Sequence, residues 1–287
     1  MRAPTQVTHP APASPPPADK TAVKTADKGV ARMAIAHRAI GSGPHPVIVL
    51  HDWFGTSAGW GSVLDFLDRT AFTYAFLDCR GYGDRKYVPG RFDLPEIAGD
   101  VLALADQLGW ERFSLVGHSM GAKAMQQVLV RAPQRVNRML GLAPVPAGAY
   151  PMDDATHELF YGASADPAKR RAIIDLVTGH RASPVWLDRM VRHSLDISRE
   201  EAHAAYLASW QLLDLSEAVA DAAKRYSVPV RVIVGAYDLA LTADLMRETW
   251  QRWYPQAEIV TIEGSGHYPM HETPVALASR MEEFLRA

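Results

Sequence analysis

Six short runs of apolar and β-branched residues recur along the chain: Val47–Leu50, Thr73–Leu77, Phe113–Val116, Met139–Leu142, Val230–Val234 and Ile259–Ile262. Most are apolar at successive rather than alternate positions. That is the pattern of strands buried on both faces, and it predicts a parallel sheet. The stretches between them carry a different period. From Asp93 to Leu108 the residues Ile97, Val101, Leu104 and Leu108 fall three or four apart, which puts them on one stripe of a helix, and Val275–Phe284 closes the chain in the same way. Strands alternating with amphipathic helices predict an α/β fold with a mostly parallel, doubly wound sheet.

Two regions break this alternation. Between Val145 and Arg225 no run reads as a strand, and the segment is expected to be a helical insertion. Asp166-Pro167 and Ser183-Pro184 each join a capping side chain to a proline at the first helical position, and Ser198 with Glu201 has the spacing of a capping box. Phe160, Tyr161, Trp186, Tyr206 and Trp210 give this insertion large apolar surfaces, to line a pocket or to pack its helices together. Residues 1–28 are rich in Pro, Ala, Thr and Lys without apolar periodicity, and are expected to be an extended or disordered tail. Its prolines interrupt any apolar stretch of the secretory-signal kind, and no window reaches the roughly 18 apolar residues of a membrane span. A cytoplasmic location is the expectation. The predicted organisation is thus a tail (1–28), a core in two pieces (29–144 and 226–287), and a helical cap (145–225).

Composition narrows the chemistry. In 287 residues, 30 Lys and Arg stand against 32 Asp and Glu, a net charge of −2, so no broad field draws the chain to nucleic acid or an anionic membrane. Cys79 is the sole cysteine, which excludes an intramolecular disulfide and multi-cysteine metal sites. No metal or other cofactor is expected. Nothing in the pattern bears on oligomeric state.

Gly117-His118-Ser119-Met120-Gly121 reads G-x-S-x-G and sits between the run Phe113–Val116 and a helix-like stretch, Ala122–Val130. In a tight strand-to-helix turn the glycines avoid collision with the adjoining backbone, and the serine is left exposed at a helix N-terminus, where neighbouring N–H groups can stabilise an oxyanion. The plainer reading is an ordinary glycine-rich turn. A serine hydroxyl needs a base to become nucleophilic. Of 11 histidines, His267 lies in a turn after Ile259–Ile262 and before the last helix, on the edge of the sheet where such turns gather. Asp238 follows Val230–Val234 onto the same edge, placed to orient an imidazole. The order Ser119, Asp238, His267 fits a serine triad.

With these residues in view, the chain from about Val30 to Ala287 resembles the α/β-hydrolase fold family. His51-Asp52-Trp53-Phe54-Gly55 resembles its His-Gly-x-x-Gly loop, Asp78–Gly83 its Asp-x-Arg-Gly-x-Gly turn, Gly117–Gly121 its nucleophile elbow, and Gly266–Pro274 its Gly-His-x-Pro-x-x-Glu-x-Pro segment. The resemblance implies Ser119 as nucleophile, His267 as base, Asp238 as orienting acid, and the Trp53 and Met120 amides as oxyanion hole. It also implies a helical cap between the sixth and seventh strands. His51, Phe160, Trp186 and Trp210 are candidate substrate contacts. Asp52 stands where the family usually has glycine, and is expected to point away from the oxyanion site or to accept backbone N–H groups; Asp84 replaces a common serine in a structural turn. His118 is expected to pack against neighbouring loops and Cys79 to be a packed thiol. His267 and His271 have the spacing of a helical metal pair, but Pro269 between them argues against one. Arg80, Arg85, Lys86 and Arg91 are expected to form a solvated basic loop.

The implied activity is hydrolysis of a small hydrophobic acyl compound, an ester or lactone, through an acyl-enzyme. Carbon–carbon bond hydrolysis, perhydrolysis and acyl transfer would use the same residues. A non-catalytic ligand receptor on the same fold is the rival from another class.

Overall fold

A computed structural model describes residues 34–287. The expected tail, residues 1–28, lies outside them. Seven strands form one sheet: β1 (His37–Ile40), β2 (His45–Leu50), β3 (Phe72–Leu77), β4 (Phe113–His118), β5 (Val136–Leu142), β6 (Val230–Gly235) and β7 (Glu258–Ile262), in the spatial order β1-β3-β2-β4-β5-β6-β7. All neighbours are parallel except β1 against β3. The six predicted strands are present. The central ones are buried from end to end, and each fully buried Val, Leu or Ile contributes about 1.5–3 kcal/mol to the core. β1, which no apolar run announces, is an edge strand whose sequence His-Arg-Ala-Ile buries only Ile40.

Helices α1 (Leu94–Gln107) and α2 (Met120–Arg131) pack on each other, and α2 also rests on β2, β4 and β5. The Asp93 carboxylate caps α1 by accepting from the Glu96 N–H at 2.7 Å. Five helices of the described chain separate β5 from β6: α3 (Asp154–Gly162), α4 (Pro167–Val177), α5 (Pro184–Ile197), α6 (Glu200–Leu212) and α7 (Ser216–Arg225). Asp166 and Ser183 cap α4 and α5 as their sequence predicts. Ser198 does not cap the next helix. Its hydroxyl donates to the Ser194 carbonyl at 2.7 Å, in the last turn of α5, and the N-cap position of α6 falls one residue later, on Arg199, with no side-chain cap. After β6 come α8 (Ala243–Glu248) and α9 (Trp250–Trp253), and after β7 α10 (Pro269–Glu272) and α11 (Pro274–Arg286).

The sheet order places a switch point between β2 and β4, because the chain runs outward from β2 to β3 and then returns to the other side of β2. In open α/β sheets the crevice beyond the carboxyl ends of the strands at such a point is the usual ligand site. Leu50 is opposite Gly117, and Gly117 opposite Gly141, so the loops that leave β2, β4 and β5 emerge side by side.

Candidate active site

The turn after β4 is as tight as its glycines require. A Cβ on Gly117 would come within 2.6 Å of the Ala122 backbone, and one on Gly121 within 2.7 Å of both the Leu50 and His51 carbonyl oxygens. Between them Ser119 adopts φ +51° and ψ −113°, a left-handed conformation that costs an ordinary residue of order 1–3 kcal/mol. The strain is held by the surroundings: the Ser119 N–H donates to the Leu142 carbonyl at 2.9 Å, and its own carbonyl accepts from Ala122 at 3.1 Å and Val145 at 3.2 Å. The hydroxyl stands at the start of α2.

Asp238 and His267 are brought together from the loops after β6 and β7. The His267 Nδ1–H donates to Asp238 Oδ2 at 2.6 Å, while Asp238 Oδ1 accepts the N–H groups of Ala240 at 2.9 Å and Leu241 at 3.0 Å. Burial works against ionising Asp238, yet the adjacent imidazole and these donors hold its carboxyl below the usual carboxylate range. For His267 burial again opposes charge, and Asp238 outweighs it with help from Asp52 and Glu272, so the ring titrates above the ordinary histidine value. The turn that presents His267 is clasped by the Glu272 carboxylate, which accepts from Gly266 N–H at 2.9 Å and Tyr268 N–H at 3.0 Å. Pro269 opens α10 after His267, so His267 and His271 do not share a helix as a metal pair would.

The loop after β2 is pinned from both sides. The Trp53 indole stacks on His203 of α6 at 4.0 Å between ring centres and lies parallel to Phe160 of α3 at 5.9 Å. Its Nε1–H donates to the His203 carbonyl at 2.8 Å, and its own carbonyl accepts the Tyr82 hydroxyl at 2.9 Å. Among the described residues, neither the Trp53 N–H nor the Met120 N–H donates to a backbone carbonyl; Met120 opens α2, where the first N–H groups have no partner within the helix.

These parts meet in one narrow cavity, walled by Ser119 and His267, by Asp52, Trp53 and Phe54, by Tyr150 and Val145, by Phe160, Ile173, Val177 and Trp210, and by Ala240, Leu241 and Tyr268. Of the candidate substrate contacts, Phe160 and Trp210 line it. His51 and Trp186 do not. His51 is buried under the loop, its Nδ1–H donating to the Asp52 carbonyl at 2.7 Å and its Nε2 accepting the Cys79 N–H at 3.0 Å, which fixes a neutral tautomer in a structural place. Trp186 sits edge-on to Tyr268 and His271 instead. The basic loop meets its expectation in part: Arg91 is exposed, whereas Arg80, half-buried, and the buried Arg85 both bind the Asp100 carboxylate, at 2.8 Å each, and brace the turn. Cys79 is a buried free thiol.

Sequence reasoning missed Tyr150, Tyr268 and Lys123. Tyr150 and Tyr268 lie in irregular segments with no periodic signal. Lys123 is wholly buried in α2, one turn beyond Ser119, and its Nζ donates to the carbonyls of Gly148 at 2.6 Å and Trp210 at 2.8 Å. A lone lysine in a mixed helix carries no mark of such a position.

Comparison with known proteins bears on the family and the fold. Over 257 residues the chain is 27% identical to a soluble epoxide hydrolase of Corynebacterium sp. (strain C12), covering 82% of this chain and 87% of that one. It is also 27% identical over 255 residues to the dihydrolipoyllysine-residue acetyltransferase component of the acetoin cleaving system of Pseudomonas putida, covering 86% of this chain but spanning only 65% of that relative's length. In structure it matches a thermophilic esterase from Thermogutta terrifontis with a TM-score of 0.74 at 22% identity, over 88% of this chain and 92% of that one, a likeness of fold. Residues 47–280 match the alpha/beta hydrolase family. With a family match over most of its length and a sheet of the corresponding architecture, the chain belongs to the alpha/beta hydrolase family.

Proposed function

We propose that this protein is a serine hydrolase that cleaves a small, hydrophobic carboxylic ester or lactone. One observation carries the reading: a strained serine at a strand-to-helix turn and a buried Asp–His pair open into the same largely apolar cavity. Ser119 Oγ attacks the substrate carbonyl carbon as its proton passes to His267 Nε2, and the carbonyl becomes an oxyanion held by the N–H groups of Trp53 and Met120. Asp238 keeps the hydrogen on His267 Nδ1 and stabilises the imidazolium. The intermediate collapses, the C–O bond to the leaving group breaks, and the leaving alkoxide takes the proton from His267. Water, losing a proton to His267, then attacks the acyl-enzyme; the second intermediate collapses, the bond from the acyl carbon to Ser119 Oγ breaks, and Oγ takes the proton back from His267 as the acid leaves. In a lactone the leaving alcohol stays attached to the acyl group.

In this reading the helices of residues 145–225 are a cap over the cavity, contributing Phe160, Ile173, Val177 and Trp210, and their apolar side chains fit a hydrophobic acyl group. The near-balanced charge fits a small-molecule partner rather than nucleic acid or an anionic membrane, and no helix among the described residues is long and apolar enough to cross a membrane. Epoxide opening is the activity named for one relative; the resemblance implies an aspartate nucleophile for epoxide- and haloalkane-cleaving members, and this chain has Ser119 at that place, so that reaction suits it less. Acyl transfer is the second reading, favoured by the relative named as an acetyltransferase component. The test is turnover of a library of aryl esters, lactones and amides, with Ser119→Ala as control and with product analysis in the presence of alcohols. Hydrolysis abolished by Ser119→Ala supports the hydrolase; tight ligand binding without turnover of any substrate would support a receptor instead.

A further inference from the structure

Asp52 stands where the resembling family usually has glycine, and its carboxylate is neither turned to solvent nor paired with a fixed cation. It is buried on the cavity wall. Its Oδ2 accepts from the Phe54 N–H at 3.2 Å and the Tyr268 hydroxyl at 3.3 Å, and its Oδ1 faces His118 Nδ1 at 3.6 Å. His118 in turn donates from Nε2 to the backbone carbonyl of His267 at 2.8 Å, with the two rings 4.8 Å apart.

The tautomer follows from the partners. A carbonyl can only accept, so the His118 hydrogen is on Nε2. A second proton on Nδ1 would draw the Asp52 carboxylate into a short charge-assisted bond, yet 3.6 Å is beyond hydrogen-bond length. Burial also pulls His118 below the ordinary histidine range, against the pull of Asp52. The ring is therefore neutral and the charge of Asp52 is not cancelled.

We propose that Asp52 is a second carboxylate of the active site: a positioning residue whose fixed charge supports protonation of His267 alongside Asp238, and a specificity determinant that turns away acyl groups bearing a negative charge. The substrate class is thus a neutral acyl compound. This rests on the serine hydrolase reading above. The groups facing His267 are Asp238 from the loop after β6, Asp52 from the loop after β2, Glu272 from α10, and the rings of His118 and Tyr268. When the Ser119 proton reaches His267, the imidazolium meets Asp238 by direct hydrogen bond and Asp52 through space in a low-dielectric site, where such a charge counts for more than in water. The same charge has a cost. It sits on the residue next to Trp53, and among the described residues no Lys or Arg side chain lines the cavity, so an anionic acyl group meets no cation from them there.

The experiment compares wild type with Asp52→Asn, which keeps an acceptor for Phe54 and Tyr268, and with Asp52→Gly, the residue usual in the resembling family, should the first variant fold poorly. Two readouts are taken: the pH dependence of Ser119 labelling by a fluorophosphonate, and the relative rates on p-nitrophenyl butyrate and the singly charged mono-p-nitrophenyl succinate. The expected result is an acid limb moved to lower pH by about one unit, with the preference for butyrate over succinate narrowed by about tenfold. A limb that stays in place, with the rate lowered equally at every pH, overturns the proposal and leaves a structural role; so does an unchanged preference. If the wild type does not react with the fluorophosphonate at Ser119 at any pH, the serine hydrolase reading itself falls, which distinguishes the two failures.

Discussion

The rim of the sheet and the helices that cover it were built under different constraints. On the rim, Ser119, Asp238 and His267 hang from strand ends whose register is fixed by backbone pairing, and each is held by backbone partners of its own: Leu142 for Ser119, Ala240 and Leu241 for Asp238, Val177 for His267. In the helices between β5 and β6 the cavity is walled by the side chains of Phe160, Ile173, Val177 and Trp210, of which Phe160 and Trp210 pack against Trp53. Backbone geometry tolerates almost no substitution at a given point, whereas an apolar wall tolerates many residues of similar volume. Chemistry is therefore expected to depend on the rim and selectivity on the helices.

The sharpest way to break that division is Ser119→Ala. If Ser119 is the nucleophile, as proposed, this should lower kcat by at least about a thousandfold with ester substrates while thermal melting stays near that of the wild type. Substantial residual hydrolysis would mean that another group attacks. Asp238→Asn is next, with an expected loss of about a hundredfold to ten-thousandfold, because an amide can offer its N–H to the imidazole and favour the wrong tautomer. With His267 titrating above its ordinary value, and its neutral form the base in the proposed mechanism, kcat/KM in the wild type should rise with pH through that raised pKa and level off above it. A bell or a fall across the same range would contradict His267 as the base.

The helical side of the comparison is tested by a pair of substitutions. Phe160→Ala enlarges the cavity and should shift the preferred acyl length upward, changing relative kcat/KM by about tenfold with little effect on the acid limb. Trp186→Ala, outside the cavity, should leave the chain-length preference where it is. Equal effects from both would show that the insertion acts as one packed unit rather than through the residues that line the cavity.

The same contrast explains what could be read from the chain before its structure. The glycines around Ser119 are legible because only a residue without a Cβ fits against Ala122 and the carbonyls of β2, and the apolar runs are legible because both faces of the central strands are buried. The starts of α4 and α5 are legible because capping is local chemistry. What local chemistry does not fix is the direction in which a helix face points. Trp186 and Trp210 are equivalent as letters, yet one packs against Tyr268 and His271 and the other walls the cavity. Ser198 fails as a cap because α6 starts one residue later than the capping-box spacing implies, which puts Arg199 at the N-cap, while the Ser198 hydroxyl donates to the preceding turn. Asp52 was flagged by its departure from glycine, and its acceptance of the Phe54 N–H follows the expectation, but its hydroxyl donor Tyr268 comes from 216 residues away and no short-range pattern reveals it.

The smallest expected effect concerns the seam between the two regions. Lys123 leaves the elbow helix and donates to Trp210, near the end of α6 where helix carbonyls lack partners of their own, and to Gly148 in the loop that bears Tyr150. Burial pulls its ammonium down to about 7, with Asp214 opposing. In the unfolded chain the same group titrates near its ordinary value, so between these two points the unfolded state binds the extra proton and folding is favoured as pH rises. The contribution is complete above the unfolded pKa and disappears as pH falls through about 7. Thermal melting of the wild type and Lys123→Met at successive pH values isolates it, since most other titrations cancel in the difference. The wild type should gain on the variant as pH rises from about 7 toward 10; parallel curves would mean that Lys123 keeps its proton in the folded protein and that the seam is held by an ion rather than by a neutral amine.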